Sequence, residues 1–127
     1  MAVIELGVTV LDCPDPRALA AFYAEMLGWR VAADEDDEEW VEVEGPRGRT
    51  LAFQQVAEGY RPPSWPGQER PQQLHLDFDV RRADIDEAEA KVIRLGAKLV
   101  QPDDGIRNFR VYLDPAGHPF CLCLCER

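Results

Sequence analysis

Apolar and polar positions change period in the same order twice along this chain. Residues 4–12, IELGVTVLD, are β-branched and apolar and predict a strand. Leu19, Phe22, Tyr23 and Met26 then fall on one helical face. Asp15 suits the cap, Pro16 suits the first helical position, where no N–H is needed, and Gly28 suits the stop. Together they predict a helix over 16–27. WRVAAD, EEWVEVEG and TLAFQQV predict three further strands, with GPRG as the turn before the last.

The second half repeats that order. QQLHLDFDV alternates as a strand, and Asp84 with Glu87 has the spacing of a capping box. Ile85, Ala88, Val92 and Leu95 form a helical stripe that Gly96 ends, predicting a helix over 85–95. AKLVQP, NFRVYLD and PFCLCLC predict three strands, with DPAG as the turn. The halves match at an offset of about 68 residues: Leu27-Gly28 with Leu95-Gly96, and Gly45-Pro46-Arg47-Gly48 with Asp114-Pro115-Ala116-Gly117. The pattern therefore predicts an α+β protein of two tandem βαβββ modules, residues 4–56 and 74–125, within one domain spanning 1–127. Each helix covers one face of its sheet, and the second copy can supply a partner for the other face. Residues 57–73 join the modules, and their four prolines and two glycines predict an extended loop. Its Trp65 has two readings, a cap over a cavity or an aromatic packed at the seam.

The 127 residues carry a net charge of −10, which repels phosphate backbones and anionic lipid and argues against nucleic-acid or membrane partners. Part of that charge is the run Asp34 to Glu39, which lacks the spacing and glycine of an EF-hand loop and reads as a solvated loop. No apolar run has the length of a membrane span, and the first residues lack the features of a signal peptide, so a cytoplasmic protein is expected. In that compartment Cys13, Cys121, Cys123 and Cys125 are expected as thiols.

The segments VTVLDCPDPRALAAFYAEMLGW, LHLDFDV and FRVYLDPAGHPFCL, in that order and in two copies, resemble the vicinal oxygen chelate superfamily of glyoxalases, bleomycin resistance proteins and extradiol dioxygenases. The nearest flavour is the bacterial glyoxalase-like domain proteins. The resemblance implies modules that pair into a cup-shaped, barrel-like mixed sheet with the helices outside, and a homodimer. In metal-using relatives an ion sits on the cup floor and acts as a Lewis acid. The resemblance carries that ligand set onto Val8, His75, Ala52 and Cys121. Val8 and Ala52 have no donor atom, while His75 and Cys121 are legitimate zinc ligands and Gln54 and Asp77 could supplement them by strand parity. No metal and no cofactor are expected on this count.

The resemblance thus implies a small-molecule-binding protein with a degenerate metal site, its small organic ligand held in the cup. The acidic surface favours a cationic ligand. The alternative is a metal-dependent lyase, isomerase or dioxygenase-type enzyme that uses His75 with non-standard ligands. His75 is the candidate catalytic residue, either a base or a hydrogen-bonding contact, and chelator should leave ligand binding unchanged. Asp77, Gln54, Arg110, Tyr112, Cys121 and Trp65 complete the expected ligand-binding set. Strand alternation puts Cys121, Cys123 and Cys125 on the cup face and Leu122 and Leu124 on the helix. Cys121 reads first as apolar lining and second as a reactive thiol. Arg110 and Tyr112 are expected on the cup face, opposite Phe109, Val111 and Leu113. The matching positions of the first module are Val41 and Val43, with Glu42 and Glu44 opposite, so the two copies disagree about which face is which.

Overall fold

The computed structural model describes residues 2–32, 36–65, 67–102 and 108–125. The strands and helices follow in the order β1 (Thr9–Cys13), α1 (Pro16–Leu27), β2 (Arg30–Ala32), β3 (Trp40–Glu44), β4 (Thr50–Gln55), β5 (Leu76–Arg81), α2 (Ile85–Leu95), β6 (Lys98–Gln101), β7 (Phe109–Leu113) and β8 (Pro119–Cys125). The chain divides into two compact units, Met1–Tyr60 and Arg61–Arg127, so most of the proline-rich loop belongs to the second. Hydrogen bonding gives two separate four-stranded mixed sheets instead of one barrel-like sheet, ordered β1-β4-β3-β2 and β5-β8-β7-β6. In each, the first strand runs parallel to the last and the other pairs are antiparallel.

Local chemistry sets the first helix. The Asp15 side chain accepts from the Ala18 N–H, Pro16 occupies the first turn, and Gly28 ends the helix at φ 69°. Leu19, Phe22 and Tyr23 are buried. Tyr23 stacks on Phe53 of β4, with ring centres 5.6 Å apart. Val41, Val43 and Leu51 share that helix-side face with Phe53 by register and are buried.

The second helix begins differently from the expectation. The Asp84 side chain makes no capping bond. A 3₁₀ turn, Arg82–Asp84, leads into the helix instead, and the Asp84 carboxylate stands 3.8 Å from Nε of Arg81. The first-turn acids Asp86 and Glu87 still favour the helix electrostatically. Ile85 and Val92 of the predicted stripe are buried.

Two strands start later than their apolar runs suggest. β1 opens at Thr9, because its partner β4 first reaches it at Leu51. Val3, Ile4 and Leu6 are left exposed. β5 opens at Leu76, opposite Phe120. The residue before Phe120 is Pro119, which has no N–H to extend the ladder. His75 therefore lies one residue outside its strand. The acidic run Asp34 to Glu39 falls partly outside the described residues.

Candidate functional site

Register settles which side chains share a face in the second unit. Asp77 of β5 is the direct partner of Cys121 of β8, and Cys121 is the direct partner of Val111 of β7. Asp79 stands opposite Cys123 in the same way. Asp77, Asp79, Cys121, Cys123 and Val111 thus occupy one face. Leu76, Phe78, Phe120, Leu122, Arg110 and Tyr112 occupy the other.

That second face belongs to α2. The Tyr112 hydroxyl donates to Glu89 at 2.8 Å. The Arg110 guanidinium reaches Asp86 at 3.1 Å and Glu89 at 3.2 Å. The structure therefore corrects the expectation that Arg110 and Tyr112 share a face with the cysteines: they lie across the sheet from them. Val41 and Val43 also face their helix, so the two copies agree once both registers are moved by one residue. Burial opposes the charge on Arg110, but the bond to Asp86 and the attraction of Glu89 outweigh it, and its pKa rises. Burial and the bond to Glu89 raise the Tyr112 pKa. Glu89, which organises this face, was missed in the sequence. Its signal was faint: an acid three residues after Asp86, beside the apolar stripe.

Four predicted residues do meet on the first face. Nε2 of His75 stands 3.1 Å from Oδ1 of Asp77. The imidazole lies parallel to the Trp65 indole, with ring centres 5.7 Å apart and planes 8° apart. One ligand atom each from His75, Asp77 and Cys121 lie within 4.8 Å of one another. Cys121 is buried, while the His75 side chain is 33 % exposed and that of Asp77 57 %. Burial pushes the Cys121 thiol up to about 12, helped by the negative charge of Asp77 and a hydrogen bond to it. Burial, Asp77 and Asp79 push Cys123 up to about 11. Neither is an activated nucleophile in this state. All four cysteines are thiols.

The loop that carries Trp65 is tied down by its own polar groups. Ser64 N–H donates to the Arg70 carbonyl at 2.7 Å, and Arg70 N–H donates to Ser64 Oγ at 2.9 Å. Arg70 Nε donates to the Pro62 carbonyl at 2.8 Å. Pro62 packs on Gly117, which sits at φ +89° in the turn after β7. Asp114 fixes that turn by accepting from the N–H groups of Ala116 and His118, so His118 serves the corner by its backbone.

Gln54 belongs to the first unit. It is exposed on the face away from α1, with Trp40 and Asp12 as its register partners. Val8 and Ala52 offer no donor, so the four-position ligand set does not fit this chain. The fit that exists is a different one: a nitrogen, an oxygen and a sulfur donor, all from the second unit.

A family model described as a glyoxalase-like domain matches residues 8–123. Among solved structures, the hypothetical protein SA1046 from S. aureus is 18 % identical with TM-score 0.72, covering 98 % of this chain and all 100 % of its own. A glyoxalase-related enzyme from Fulvimarina pelagi is 22 % identical with TM-score 0.71, covering 97 % of this chain and 89 % of its own. A mutant of the fosfomycin resistance protein FosX from Listeria monocytogenes, complexed with Mn(II) and 1S,2S-dihydroxypropylphosphonic acid, is 13 % identical with TM-score 0.74, covering 98 % of this chain and 95 % of its own. No curated protein matches.

Proposed function

The chain belongs to the glyoxalase-like domain family, and on that footing we propose that it binds a small organic molecule beside His75, on the sheet face that carries Asp77 and Cys121. The observation that carries this reading is the array of Trp65, His75 and Asp77. The indole lies parallel to the imidazole, whose Nε2 stands 3.1 Å from the carboxylate. Such an array offers an aromatic face, a ring nitrogen and a negative charge together. Asp77 and Asp79 are both exposed on this face, and the chain carries a net charge of −10, which favours a cationic ligand. In this reading the protein is a cytoplasmic homodimer, and sedimentation giving a monomer at micromolar concentration removes the dimer from it.

A thermal-shift screen of small molecules tests the binding. A ligand that stabilises the wild type should bind His75→Ala about 1–3 kcal/mol more weakly, the usual cost of an unsatisfied partner, while the variant keeps its fold. Equal binding by the variant sinks the reading.

A second reading is a metal-dependent lyase, isomerase or dioxygenase-type enzyme. The gathering of His75, Asp77 and Cys121 favours it, and the FosX relative is complexed with a divalent metal. If an ion binds, these three residues hold it, and the ion supplies Lewis-acid chemistry to a chelating substrate. Metal content of protein purified without chelator separates the two readings.

A further inference from the structure

We propose that α2 is a detachable cover, a helix latched to its sheet by a polar clasp centred on Glu89, which opens as a unit while the strands beneath it stay paired. The inference is independent of any ligand on the opposite face of that sheet.

The two helices hold their sheets by different chemistry. α1 has 12 residues and buries Pro16, Leu19, Ala20, Phe22 and Tyr23. Its Tyr23 meets Phe22 edge to face and stacks on Phe53 of the sheet. α2 has 11 residues and buries Ile85 and Val92 alone among its own. Polar contacts stand where the further apolar ones would be. The Tyr112 hydroxyl donates to Glu89 at 2.8 Å, and Arg110 reaches Glu89 at 3.2 Å and Asp86 at 3.1 Å. The Asp86 side chain is 91 % exposed, so its pair with Arg110 is screened by water and contributes little. Glu89 is largely shielded and joins two side chains of β7 to the middle of α2, so the clasp depends on this one carboxylate.

Such a clasp is firm when closed and cheap to open. While α2 is docked, Tyr112 is fully buried, and a hydroxyl there without a partner is costly. Once α2 lifts, water satisfies Tyr112, Arg110, Asp86 and Glu89 alike, so internal bonds are exchanged for bonds to solvent. Undocking α1 would instead hydrate Leu19, Phe22 and Tyr23 with no such exchange. The ends of α2 suit the movement. The 3₁₀ turn Arg82–Asp84 precedes it, the Asp84 side chain makes no capping bond, and Gly96 follows at φ +118°. The ladders below do not run through α2: β8 pairs with β5 on one side and β7 on the other. Opening therefore bares Tyr112, Phe120 and Leu122 without breaking the sheet. These residues form the back of the strands that present Asp77 and Cys121.

Hydrogen exchange of the whole chain, read by mass spectrometry in low urea, tests the latch. Relative to their intrinsic rates, the amides of α2 should exchange about tenfold or more faster than those of β8 in the same unit. Their exchange should also rise less steeply with urea, because opening a helix exposes less surface than unfolding does. The amides of α1 should instead follow those of β4. Glu89→Ala should speed α2 about tenfold again and leave β8 at its wild-type rate. Glu89→Gln keeps an acceptor for Tyr112, and α2 should then exchange at a rate between the two. The wild-type comparison needs no variant and decides even where Glu89→Ala fails to fold. Equal protection of α2 and β8 that moves together with urea means that α2 leaves only on unfolding, and it overturns the proposal. So does a Glu89→Ala protein whose α2 keeps the wild-type rate, or one in which α2 and β8 speed up alike.

Discussion

Gly117 lies against Pro62 so closely that a Cβ on the glycine would stand 2.6 Å from Cβ of the proline and 3.0 Å from its Cγ. The glycine also holds φ +89°, where side chains are strained. Gly117→Ala should therefore cost about 2 kcal/mol or more, from backbone strain and overpacking together. Its effect should extend to the loop that starts at Pro62. Trp65 fluorescence, read in a variant without Trp29 and Trp40, should shift toward that of exposed indole. A Gly117→Ala protein with unchanged stability and emission contradicts this contact.

Gly45 is constrained by space alone. Its backbone is extended, at φ −115° and ψ −174°, which any residue adopts. A Cβ there would fall within the indole of Trp29. Gly45→Ala should thus cost roughly 1–3 kcal/mol by overpacking, and Trp29→Leu should recover part of that loss. Urea denaturation of the two single variants and the double variant measures the coupling.

Alkaline pH should weaken the fold through the cysteine face. Folding raises the Cys121 thiol from an ordinary 9.0 to about 12 and the Cys123 thiol to about 11, in both cases chiefly by burial. Above pH 9 the unfolded thiols release protons that the folded ones keep, so the folded state binds more protons and stability falls as pH rises toward those values. Below pH 9 this contribution is fully present. Urea midpoints of the metal-free protein at pH 7, 9 and 10 should decline, and less steeply in Cys121→Ala. An equal decline in both proteins refutes the assignment.

On the helix side, Tyr112 should matter through its hydroxyl. Tyr112→Phe removes the bond to Glu89 but leaves Glu89 its partner Arg110, so the loss should be about 1 kcal/mol. In Arg110→Met that second partner is gone, and the same Tyr112→Phe change should cost more. A double-mutant cycle in urea reads the difference, and strict additivity rules out a shared network.

The helices were legible because their ends are written locally. Asp15, Pro16 and Gly28 act within one turn of the residues they cap, and α1 runs from Pro16 to Leu27 as the sequence predicts. The repeat was legible as well, since turns and helix stops recur at matching places. The orientation of β7 was not. FRVYL alternates cleanly, but Arg110 and Tyr112 look like the cup-facing pair until Asp86 and Glu89 are seen to satisfy them, and those partners come from another element. The meeting of Asp77 with Cys121 was legible only in part: strand parity allowed Asp77 as a companion of His75 and Cys121, while their direct opposition depends on the pairing of strands far apart in the chain.

That pairing also bears on how the protein is made. Each unit joins its opening strand in parallel to its closing one, Thr9 beside Leu51 and Leu76 beside Phe120. During synthesis the opening strand must wait without its neighbour until the closing strand has left the ribosome. The intervening helix and hairpin strands form contacts from nearby residues in the meantime, while the last ladder carries the long loop-closure entropy. The first unit can complete its sheet once Gln55 has emerged, before β5 has left the ribosome. The second waits for Cys125, so its aspartate–thiol rungs are among the last contacts made and the nascent thiols stay open to oxidation until then.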